Sequence, residues 1–135
     1  MTKEEKVAYT NLCNALTLFA ANFEYLKSID APDFDIEFEL PSEFDIGLTI
    51  ENINYLETQN IISNTVKHDI LELRDYLLEI PDSFWTFDEL ETNPIWNRAR
   101  VMANEILDDL GFTDKNYDFS HTKTIYIDDS NSKNS

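Results

Sequence analysis

The sequence predicts a mainly helical α+β fold, in which three or four packed helices carry a small two-stranded sheet. Three observations point there. Apolar residues recur every three or four positions within 3–28, 63–80 and 94–110, the spacing of a helix buried along one side. Acidic and apolar residues alternate without a break over 33–40, the period of a half-buried strand. A second run of β-formers, 122–127, supplies a strand to pair with it. With 135 residues, 42% of them hydrophobic and 13% aromatic, the chain can bury one core without a disulfide or a metal. It reads as a single domain over 1–127 followed by a polar, disordered tail at 128–135.

In chain order, Thr2 and Glu5 make a capping-box pattern. Leu12, Leu16, Phe19, Phe23 and Leu26 continue a stripe that predicts one unbroken helix to Ser28. Cys13, the one cysteine, borders that stripe and reads as a small buried hydrophobe in a reducing compartment. Pro32 breaks the helical pattern. Over 33–40, Phe34, Ile36, Phe38 and Leu40 form the predicted buried face of the strand, and Pro41 ends it. Thr49 precedes a short helix around Ile50, Ile53, Tyr55 and Leu56. The helix at 63–80 buries Val66, Ile70, Leu73, Leu77 and Ile80, stops at Pro81, and is expected to be central.

No single face can bury Phe84, Trp85 and Phe87 together, so they either plug helix ends or anchor a partner. The best-bounded element is 94–110. Asn93 is its expected N-cap and Pro94 its first helical residue. Ile95, Ala99, Met102, Ala103, Ile106 and Leu110 make its buried face, Gly111 suits a left-handed stop, and Phe112 folds back on the last turn.

Ten Lys and Arg stand against 27 Asp and Glu, a formal net charge of −17 with a pI near 4.2. Such a field repels nucleic acid and anionic membranes and draws basic partners from a distance. The charge is regional: neither Ser28 to Val66 nor Asp75 to Asn97 holds a Lys or Arg. In the longer window a strand would line up Asp33, Asp35, Glu37 and Glu39 on one face, roughly 6–7 Å apart, with Glu43 and Asp45 extending the patch. These six are the candidate partner-binding residues. A solvated face on an acidic protein accounts for the same row.

Catalytic and cofactor chemistry finds little support. Gly47 and Gly111 are the only glycines, too few for a phosphate-cradling loop. His68 and Glu72 make a surface pair rather than a zinc site, and His121 stands apart. Asp33, Asp35 and Glu37 match the opening of a calcium loop. Phe38, however, stands where the turn glycine belongs, and Phe44 where the bidentate Glu belongs. No metal and no cofactor are expected. No motif separates one acid from its neighbours as a proton donor or acceptor, so no enzyme is expected. Arg98 and Arg100 are expected to pair with Glu91 or Glu105. There is no run of 18 apolar residues, and the first six residues carry a helix start rather than a basic leader, so the expected compartment is cytoplasmic.

In size, acidity and helix-rich layout the whole chain resembles the small acidic immunity proteins of bacterial toxin systems, contact-dependent inhibition and polymorphic toxins among them. That resemblance implies a basic protein partner, a toxin nuclease, neutralised by an acidic surface laid over its active site, and no direct contact with nucleic acid or membrane. It brings no site residues with it. The alternative expectation is a nucleic-acid mimic, whose carboxylates occupy a DNA-binding, restriction or RNA-guided defence protein; the one-sided acidic row favours it.

Overall fold

The computed structural model describes residues 1–120. Over them the chain forms seven α-helices and one 3-10 turn, with no strand. The elements are α1 (Lys3–Ala20), α2 (Phe23–Ile29), α3 (Ile36–Gly47), α4 (Ile50–Thr58), α5 (Asn64–Leu78), the 3-10 turn at Asp82–Phe84, α6 (Phe87–Thr92) and α7 (Ile95–Asp109). The second expected strand at 122–127, its Lys123, His121 and the tail at 128–135 lie outside the described residues.

Helix α1, not the helix at 63–80, is the centre of the fold: it packs on α3, α4 and α7, and every residue from Asn11 to Ala20 is buried. A helix covered on every side lies inside a bundle, and Asn11, Asn14 and Thr17 are buried there with the apolar residues. The capping box at its start is formed, with the Thr2 hydroxyl accepting from the Glu5 amide at 3.1 Å and Glu5 accepting from the Thr2 amide at 2.8 Å. The helix does not run to Ser28. Ala21 and Asn22 turn extended, and the Asn22 side chain accepts from the Tyr25 amide at 2.8 Å as the N-cap of α2. An asparagine that can bond its own backbone competes with helix continuation, and here it wins.

The expected strand at 33–40 is the main correction, and with it the two-stranded sheet and the α+β class. A bridge between Ala31 and Phe34 closes a tight turn. Asp30 then accepts from the Ile36 amide at 3.0 Å, and Asp35 accepts from the Glu37 amide at 3.1 Å as the N-cap of α3. Helix α3 carries Pro41 inside it. An interior proline costs about 3 kcal/mol. Against that, Ile36, Leu40, Ile46 and Leu48 are all at most 7% exposed, and each such side chain is worth about 1.5–3 kcal/mol. Burial therefore outweighs the proline. Phe38, assigned to the strand's buried face, is 67% exposed.

Helix α7 follows its sequence signals with a shift of one residue at its start, where Pro94 rather than Asn93 stands at the cap position and Ile95 is the first helical residue. Asn93 accepts from the Ile95 amide at 3.0 Å, and Gly111 takes φ of 88°. The Gly111 amide bonds the Asp108 carbonyl and the Phe112 amide that of Leu107, each at 3.0 Å, the paired bonds of a Schellman stop. Phe19, Trp85 and Trp96 form an aromatic cluster where α1 and α7 meet the turn before α6, and Phe23 packs on Phe87. The aromatics after α5 are thus largely helix plugs.

Candidate functional site

The six candidate acids do not form a row. Asp33 is exposed in the turn before α3, and Asp35 is exposed but engaged as the cap. Helix α3 turns each residue by about 100° from the last, so its acids fan out. Glu37 reaches across to accept from the Phe87 amide at 2.7 Å, tying α3 to the start of α6. Glu39 is half-buried, Glu43 is 1% exposed, and Asp45 is exposed on the last turn. The structure keeps Asp33, Asp35, Glu37 and Asp45 on the surface and buries Glu43.

Glu43 accepts a hydrogen bond from the Tyr117 hydroxyl inside the protein. Burial, and then that bond, push the Tyr117 hydroxyl well above the usual range for a phenol, with the negative charges of Glu43, Glu39 and Asp118 adding to it. Residues around Tyr117 are strapped onto α1 and α2. Asn14 donates to the Asp118 carbonyl at 3.3 Å and accepts from its amide at 3.0 Å, while the Tyr25 hydroxyl accepts from the Tyr117 amide at 2.9 Å. Glu43 is a structural acid, and its partner lies 74 residues along the chain.

The remaining negative surface surrounds that core. Within the base-free window from Ser28 to Val66, Asp30, Asp33, Asp35, Glu37, Asp45 and Glu51 are all exposed. The two bases nearest in sequence to its far end are occupied: Lys67 pairs with Glu57 at 2.8 Å, and Arg74 donates to the Leu48 carbonyl at 2.8 Å with its guanidinium over the Phe44 ring. Arg100 does not pair with Glu91 or Glu105. It holds the carbonyls of Ala21 and Leu90 at 3.1 and 2.7 Å and the Asn97 side chain at 2.6 Å, so that it joins the ends of α1 and α6. His68 and Glu72 sit 3.4 Å apart on the exposed face of α5.

A concave feature that the sequence does not announce lies beside this acidic region. A groove of about 370 Å³ opens between α3, the end of α5 and the 3-10 turn; Pro41, Phe44, Leu78 and Trp85 give it apolar walls, and Asp45 and Asp82 stand among them. Among the described residues no group of three or more His, Cys, Asp or Glu could hold a metal ion. No described helix is long and apolar enough to cross a membrane. Comparison with protein families, with curated proteins and with solved structures found no match.

Proposed function

We propose that this chain is a cytoplasmic immunity protein of the bacterial toxin–immunity kind, which captures a basic toxin, a nuclease, and covers the groove where that enzyme holds phosphates. It acts by binding and performs no catalysis. The observation that carries this reading is the set of exposed carboxylates along Asp30 to Glu51 in a stretch without a single base. Desolvating a cationic active site against such a surface is compensated by charge pairing. The long-range field also accelerates encounter, up to about 10⁸–10⁹ M⁻¹s⁻¹ at low salt. The nucleic-acid-mimic reading rested on an acidic strand, and α3 removes that row.

The test is co-purification from the native host, followed by assay of the partner. A cationic nuclease whose cleavage stops on adding this protein, with association slowed by salt, fits the proposal. A neutral or acidic partner, or a basic partner whose activity is untouched by binding, sinks it.

A further inference from the structure

We infer that the groove between α3 and the end of α5 is the docking slot for a cationic partner segment that pairs a large apolar side chain with flanking Lys or Arg. This deepens the proposed function and rests on it. The apolar lining reaches the surface at Leu78, which is 57% exposed, while Leu77 and Ile80 are buried behind it. Phe38, 67% exposed, stands three residues before Pro41 on α3, a spacing that puts the two on one helix face. An apolar strip thus leads from Phe38 over Pro41 into the slot.

Its volume of about 370 Å³ lies in the roughly 300–1,000 Å³ range of ligand-binding clefts and cavities. The charges at the slot select the occupant. Asp45 and Asp82 stand in its lining, exposed Glu79 precedes Ile80 at its edge, and among the described residues no Lys or Arg lines it. Arg74, on α5, is turned onto the Phe44 ring and the Leu48 carbonyl. A second copy of this chain would bring another −17 to the same place, so self-association is opposed by repulsion. An apolar anchor flanked by cations satisfies both walls and rim, with the anchor supplying most of the affinity and the rim charges the orientation.

The probe is a short synthetic peptide of Lys and Leu, set against a counterpart in which every Leu is Ser and the charge is unchanged. Binding is followed by NMR at the Trp85 indole and the Leu78 methyls. The Lys–Leu peptide is expected to bind at least tenfold more tightly and to shift both signals, and Leu78→Ser is expected to remove that advantage. Leu78 is exposed, so the variant keeps its fold; Asp45→Asn/Asp82→Asn, which should weaken the Lys–Leu peptide severalfold, serves as an independent check. Equal affinity for the two peptides with Leu78 and Trp85 unshifted overturns the slot and leaves electrostatic capture standing. Failure of both peptides at low salt overturns the proposed function as well. A dimer that forms with concentration and is lost in Leu78→Ser makes the occupant a second copy and overturns the cationic assignment.

Discussion

Gly47 lies so close to α1 that a Cβ built on it would stand 2.3 Å from the backbone oxygen of Asn11 and 2.9 Å from the Ala15 Cβ. The contact is what lets α3 seat against the central helix. Asn52 locks the same corner, donating to the Ala8 carbonyl at 3.2 Å and the Gly47 carbonyl at 3.0 Å.

Gly47→Ala sets two effects against each other. Alanine in a helix gains about 1 kcal/mol over glycine, whereas an obstructed backbone contact forces the helices apart at about 1–3 kcal/mol or more. The obstruction is backbone on one side and a short side chain on the other, so neither can swing away. A net loss of about 2 kcal/mol is expected in urea unfolding. A neutral or stabilised variant would contradict the close packing of α1 on α3.

Gly111→Ala fails for a different reason. Nothing lies within 4 Å of a Cβ there, but φ is 88°, and a left-handed alanine costs about 1–2 kcal/mol. The loss should be smaller than at Gly47, and Gly111→Asn should recover part of it. If alanine were as stable as glycine, the Schellman stop at the end of α7 would be absent in solution.

Tyr117→Phe removes a donor from the buried Glu43 carboxyl group. A buried polar group left short of a partner costs about 1–3 kcal/mol, and the strap over α1 should loosen, seen as faster amide exchange at Asp118. Glu43→Gln should lower stability while leaving affinity for a basic partner unchanged. Weaker binding by Glu43→Gln at unchanged stability would return this residue to the interface.

Burial pushes the Cys13 thiol up to about 12 from 9.0. The folded state therefore keeps a proton that the unfolded state releases. Any stability from this group is complete below about pH 9 and is lost as pH rises towards about 12. Burial moves the Tyr9 and Tyr117 hydroxyls in the same direction, so alkaline unfolding should set in early. At pH 8, labelling of Cys13 by a thiol reagent should proceed only as fast as the protein opens. Immediate modification of the native protein would contradict the buried position.

Much of the helical frame could be read from local signals. Asn93, Gly111 and Phe112 mark the ends of α7, and Thr2 with Glu5 the start of α1, because caps depend on neighbours in sequence. The segment 33–40 misled for a physical reason. Its period of two is real, but Ile36, Leu40, Glu43 and Gly47 also repeat at helical spacing, and that pattern requires a Glu to count as buried and a helix to pass through Pro41. Inside the protein Glu43 meets Tyr117, a contact that no local pattern reveals. The groove was equally hidden, since its walls come from α3, α5 and the turn after it. The break at Asn22 was legible: an N-cap residue with Glu24 following in the first turn.

The six candidate acids divide by the same logic. Asp35 caps α3 and Glu37 holds the Phe87 amide, so reversing either to Lys disturbs the fold as well as the surface. Asp33 and Asp45 are exposed, and they offer the cleaner handle on charge.

The most direct test of acidic capture is therefore the association rate of the co-purified basic partner with Asp33→Lys/Asp45→Lys, measured across a salt series. A matched reversal at Glu4 and Glu105, both exposed and on α1 and α7, is the control. The account predicts that the first pair slows association at least tenfold at low salt and flattens its salt dependence, while the control pair changes it less than threefold. Equal slowing by both pairs would contradict a site on the α3 side, and unchanged rates in both would contradict electrostatic capture itself.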